Sequence, residues 1–102
     1  MKKKTPEVRD IERGEILRFL VEFYPDAVTP KMLLYHLDDA ALSVSEEALR
    51  FHIVYLTQKG FATFELAPKV VGEETEIRSV KVTPAGVDFV DRRKKGEVGI
   101  RL

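Results

Sequence analysis

No cysteine occurs anywhere in the 102 residues. That absence excludes a disulfide framework, a thiolate metal site and a cysteine nucleophile, and it suits a reducing cytoplasm. Long hydrophobic runs are missing as well. No apolar stretch approaches the roughly 20 residues of a membrane span, and the basic start MKKKTPEVRD lacks the apolar segment of a secretory leader. A soluble, unsecreted protein with no membrane partner is expected. There is no glycine-rich phosphate loop, nucleophile elbow, metal-binding histidine pair or isolated acid/base dyad. Enzyme activity is therefore the least expected class, with no catalytic residue and no cofactor nominated. The only histidines, His36 and His52, have no paired ligand motif even with Asp38 and Asp39 nearby. They read as surface or boundary residues rather than metal ligands.

Net charge is also lacking, because 17 basic and 17 acidic residues cancel. Their distribution says more than the sum. Lys2, Lys3, Lys4, Arg92, Arg93, Lys94, Lys95 and Arg101 gather the cations at the ends, and residues 5–91 hold nine basic against sixteen acidic residues, a formal −7. A duplex repels such a body unless its few cations share one face or the basic ends join in. Charged ends also serve simply to keep termini solvated, and both readings stand.

The chain has room for one modest core, and its hydrophobic fraction of 44% is ordinary for a globular domain. Residues 42–61, LSVSEEALRFHIVYLTQKGF, are the most informative part of it. Ser45 offers a capping oxygen, with Ser43 and Glu46 as a rival capping box, and Glu46 and Glu47 put negative charge at the positive end of a helix dipole. Lys59 and Gly60 supply a stop. The spacing predicts a helix over 46–59 that docks through Leu49, Ile53 and Leu56, with His52 at the border of that stripe. Glu47, Ala48, Arg50, Phe51, Val54 and Tyr55 then share the outer arc, which carries more apolar surface than water contact requires.

Residues 10–24, DIERGEILRFLVEFY, predict an earlier helix stopped by Pro25, with an apolar sector of about 200° against a strip of Glu15, Arg18 and Glu22. One side packs inward. The other calls for a homodimer contact through Phe19 and Phe23, or for cover by the last helix of the same chain. Thr29 and Pro30 start a short helix anchored by Leu33, Leu34 and Leu37. FATFEL (61–66) and residues 77–82 alternate as strands joined by a long tip. Thr83 and Pro84 start a last helix to about residue 92, with Val87 and Val90 inward and Phe89 beside them. The remaining KKGEVGIRL lacks periodicity and reads as mobile or draped on a partner.

This order is mainly α with a small antiparallel β-hairpin (α+β), running α-α-α-β-β-α, and it resembles a winged helix-turn-helix domain. The expected organisation is a basic tail over 1–9, the domain over 10–92 and a second basic tail over 93–102. Leu42, Val44, Ser45, Glu46, Glu47, Leu49, Arg50 and Ile53 resemble the L-x-V-S-E-E-T-L-R-x-x-L run of DeoR-type headpieces. Leu56 with Lys59, Gly60 and Phe61 resembles the recognition-helix end shared by DeoR, MarR, ArsR and PadR relatives. Thr83, Pro84, Ala85 and Gly86 are similar to the start of the helix after their wing. Two positions depart from the pattern, Ala48 for a threonine and Phe51 for a second arginine. That leaves Arg50 as the one cation near the start of the third helix.

The resemblance implies a transcriptional regulator that binds duplex DNA, with Ser45, Glu47, Arg50 and Phe51 in the major groove and Lys69 and Lys81 near phosphates. An alternative from another class is a winged-helix assembly module without DNA binding, in which Phe51, Val54 and Tyr55 dock a protein partner. The Gly-x-x-Gly-Ile pattern at 96–100 resembles small accessory proteins of mobile elements such as phages. Arg50 itself has two readings, a base contact or an ion pair with Glu46 or Glu47 on its own helix.

Overall fold

The computed structural model describes residues 5–68, 72, 76–92 and 98–102. Lys69, Glu73, Glu74 and the basic residues at 2–4 and 93–95 lie outside the described residues.

Three of the helices begin with one local device. In α1 (Pro6–Glu22), α2 (Pro30–Asp39) and α4 (Pro84–Arg92) a threonine precedes a proline, whose missing N–H is not needed in a first turn. Thr5 Oγ1 accepts from Val8 N at 3.3 Å, Thr29 Oγ1 from Met32 N at 3.2 Å and Thr83 Oγ1 from Gly86 N at 3.1 Å. The expected start of the first helix near position 10 therefore moves to Pro6, and residues 6–9 belong to the helix rather than to a tail. Helix α3 (Glu46–Gln58) uses Ser45 as its cap and ends at Lys59. Gly60 follows at φ +83°, a left-handed turn that a Cβ would strain.

Strands β1 (Ala62–Leu66) and β2 (Ile77–Val82) form an antiparallel hairpin in which Ala62 faces Val82 and Phe64 faces Val80, with an irregularity between Glu65 and Leu66. Val28, in the connection between α1 and α2, adds a bridge to Val80 on the free edge of β2. The inner sheet face, Ala62, Val80 and Val82, closes one side of a core built from Ile16, Leu17 and Leu20 of α1, Leu33 and Leu37 of α2, and Leu49, Ile53 and Leu56 of α3. Each fully buried Leu or Ile contributes about 2 kcal/mol of transfer free energy before entropy is counted.

One expectation for α1 takes its intramolecular form, and two others change here. Helix α1 contacts α2, α3, α4 and β2, so its broad apolar sector is explained by a central position within one chain and requires no second copy. Phe19 is half-buried, stacking on His36 at 4.3 Å and meeting Phe23 at 4.9 Å; Phe23 alone of that pair is exposed. In α4 the deepest side chain is Phe89, stacked on Phe61 at 4.5 Å, while Val87 and Val90 are half-buried. The end of the chain is not loose: Ile100 is fully buried in the core, and Arg101 N donates to Asp10 O at 2.9 Å. One carboxyl group is drawn into the interior with these side chains, Glu12 being 1% exposed.

Candidate nucleic-acid interface

The third helix is held by its inner stripe and leaves its first two turns open. Ser45 Oγ accepts from Ala48 N at 3.1 Å, which fixes where the helix begins, and Glu46 and Glu47 occupy the first turn. Leu49, His52, Ile53 and Leu56 are buried. On the outside Ser45, Glu46, Glu47 and Arg50 are exposed, and Phe51 is 66% exposed. Arg50 has no ion-pair partner among the described residues, so of its two readings the pair with Glu46 or Glu47 is not formed.

Arg50 borders a groove of about 570 Å³ between the start of α2, α3 and the start of β2. Its floor is Pro30, Leu34, Leu49, Ile53 and Ile77, with Lys31 and Arg50 as cations and Glu46 and Glu76 as anions. Tyr35 lines it too and is 66% exposed. Lys31 and Tyr35 were not among the expected site residues, although the sequence holds a signal for them. The Thr29–Pro30 cap sets the helical phase of α2, and positions 31 and 35 are one turn apart on one face.

The other expected residues separate. Lys81 is exposed on β2 and lines a second, smaller depression whose lining also includes Asp26 and Glu65. Val54 is half-buried. Tyr55, expected on the open arc with Phe51, is instead half-buried by its own chain: its hydroxyl donates to Val98 O at 3.4 Å, and the Arg13 guanidinium lies 3.9 Å from its ring centre. The outer aromatic flank is thus uneven, with Phe51 open and Tyr55 half-covered.

Behind this face runs a polar network that the helical wheel of α3 alone did not reveal. His52 is 3% exposed, and its Nε2 lies 2.8 Å from Glu12 Oε1, while Arg13 Nε donates to its Nδ1 at 3.2 Å. Arg13 also donates through Nη1 to Gly99 O at 3.1 Å and lies 3.5 Å from Asp10. Such a buried ring needs partners on both nitrogens, and only the packing of α1 on α3 supplies them. At the boundary His36 Nε2 meets Glu15 Oε2 at 2.9 Å. Among the described residues no group of three or more His, Cys, Asp or Glu is placed to hold a metal, and no helix is long and apolar enough to cross a membrane.

No protein-family description matches the sequence, and no curated protein matches it either. A solved structure does: a PadR-like transcription factor from bacteroid fragilis aligns over 80% of this chain and 75% of its own, with a TM-score of 0.61 and 17% sequence identity. The chain has a winged-helix fold. At that identity the likeness speaks for architecture, and it gives the PadR side of the resemblance a structural counterpart. The likeness to DeoR, MarR and ArsR relatives rests on sequence motifs.

Proposed function

We propose that this winged-helix chain is a transcriptional regulator that binds duplex DNA through the first two turns of α3. One observation carries the reading: Arg50 stands exposed, and unpaired among the described residues, on a capped helix whose opposite side is anchored in the core. A free guanidinium on such a helix has the geometry for a bidentate guanine contact, worth about 1 to 3 kcal/mol of discrimination. Lys31, at the first turn of α2 and on the same groove, is well placed to meet a phosphate, and Phe51 offers an apolar face for a thymine methyl. The similar fold of a protein described as a transcription factor supports the same reading. Binding of the full chain to a mixed-sequence duplex pool at low salt is the test. Retained complexes should weaken steeply as salt rises, and Arg50→Ala should flatten the sequence preference of the selected pool. Absence of binding at low salt overturns the proposal.

A second reading, docking of a protein in the groove, has one specific observation in its favour. Tyr35 and Phe51 are each 66% exposed, and the groove between α2 and α3 has an apolar floor with Glu46 and Glu76 at its rim. Loss of a co-purifying partner on Phe51→Asp, in a chain that never binds DNA, would favour it.

A further inference from the structure

We infer that residues 98–102 act as a releasable intramolecular strap that masks the Tyr55 end of the outer flank of α3. The inference concerns the same helix as the proposed function but stands whether or not that helix binds DNA.

The segment is fitted to its seat at four points. Ile100 is fully buried, an apolar plug in the common core. Arg101 N is bonded to Asp10 O of α1. Gly14 of α1 lies so close beneath the Arg101 carbonyl that a Cβ at position 14 would overlap it. Gly99 adopts φ +92°, and a Cβ there would run into the Tyr55 hydroxyl. A strap that merely rested on the surface would not need one glycine beneath its backbone, in α1, and another of its own against a side chain of α3.

One side chain closes the clasp. Arg13 joins the strap to both helices, donating to Gly99 O from Nη1, donating to His52 of α3 from Nε, and lying flat over the Tyr55 ring. Its guanidinium thus spans α1, α3 and the strap at once. Among the described residues the strap's hold is local: one backbone bond to α1, one side-chain bond to each of Gly99 and Val98, the buried Ile100 and the half-buried Leu102. By contrast α3 has a continuous helical ladder and four buried residues. A terminal-side segment tied by local bonds opens at lower free energy than a helix held by its own ladder. With the strap in place α3 presents Phe51 in the open and Tyr55 only in part. Undocking uncovers Tyr55 and empties the Ile100 seat, extending the apolar flank by one turn beyond Phe51.

Native-state hydrogen exchange on the full chain tests this directly. The Arg101 amide should exchange at least tenfold faster than the Ile53 amide through a local opening insensitive to low denaturant. Equal rates with equal denaturant dependence would make the strap part of the global unfolding unit and overturn the inference. Gly99→Val is the second test. The folded variant, judged by protection of α3 amides, should lose protection at Arg101, and Tyr55 should be nitrated several-fold faster than in the wild type. Folded protein with an unchanged nitration rate at Tyr55 would equally overturn it. If the variant fails to fold, the wild-type exchange pattern decides.

Discussion

Arg13 Nε donates to His52 Nδ1 at 3.2 Å, and this bond decides which nitrogen of the buried imidazole carries the hydrogen. With Nδ1 accepting, Nε2 donates to Glu12 Oε1, 2.8 Å away, and a carboxylate that is 1% exposed is satisfied across the α1–α3 contact. A helix with two readings of its outer face is therefore fixed from behind by polar groups as well as by aliphatic packing.

Removing one member of this pair should be costly, because the other stays buried. His52→Ala is expected to destabilise the fold by about 2 to 4 kcal/mol, combining a lost charge-assisted bond and a cavity. The double variant Glu12→Leu/His52→Leu should recover most of that loss, since an apolar pair of similar volume carries no desolvation penalty. Chemical denaturation of the three proteins measures both quantities, and a double variant no better than the single one would refute the account.

Thr83 does two jobs at the junction of β2 and α4. Its Oγ1 donates to Gly60 O at 2.6 Å and accepts from Gly86 N at 3.1 Å, tying the end of α3 to the start of α4. Thr83→Ala should lower stability by about 1 to 2 kcal/mol, more than a cap alone, while Thr83→Ser should retain most of it. The ranking can be read from denaturant midpoints at constant slope.

Glu7, in the first turn of α1, has its carboxyl held below the usual range, first by a hydrogen bond from its own backbone amide and then by one from the Thr5 hydroxyl. A folded-state value lowered in this way contributes stability that is present above the unfolded carboxylate range and disappears as pH falls through the lower folded value. The contribution is small, because the group is fully exposed. Thermal melts should show Glu7→Gln slightly less stable than wild type near neutrality, with the gap closing in acid. A gap that widens in acid would contradict the sign.

Phe23 is what remains of the expected homodimer contact. Of Phe19 and Phe23 only the latter is exposed, with Tyr24 beside it. If a dimer forms through the end of α1, Phe23→Glu should weaken it by tenfold or more in sedimentation equilibrium, whereas Phe19 substitutions should act mainly on stability through its stacking with His36. A dimer indifferent to Phe23→Glu must use another surface.

The parts of the molecule legible in the sequence are those governed by local rules. Thr29–Pro30, Thr83–Pro84, Ser45 and Gly60 each act within four residues, and the elements they bound fall where their chemistry places them. The stripe Leu49, Ile53 and Leu56 is a matter of helical period and is buried as expected. What stayed hidden depends on contacts between distant segments. Tyr55 lies on the outer arc of its own helix, and it is half-buried by Arg13 of α1 and by a strap 43 residues further along the chain. Glu12 resembles any other carboxylate on an amphipathic helix until His52 arrives opposite it, 40 residues away. Lys81 has the strand and the exposure expected of a phosphate contact, and only tertiary packing shows that it shares a depression with Asp26 and Glu65. The Thr5–Pro6 pair shows the reverse case, a local rule that was present in the chain and moved a helix start by one turn.

Val28 and Val80 exchange two backbone hydrogen bonds of 2.8 Å, stitching the link ahead of α2 to the outer edge of β2. The hairpin is consequently tied to the approach to α2 by main-chain bonds that any exchange short of proline leaves in place. Thr29 and Lys31 on one wall of the groove and Ile77 on another are thereby joined without passing through α3.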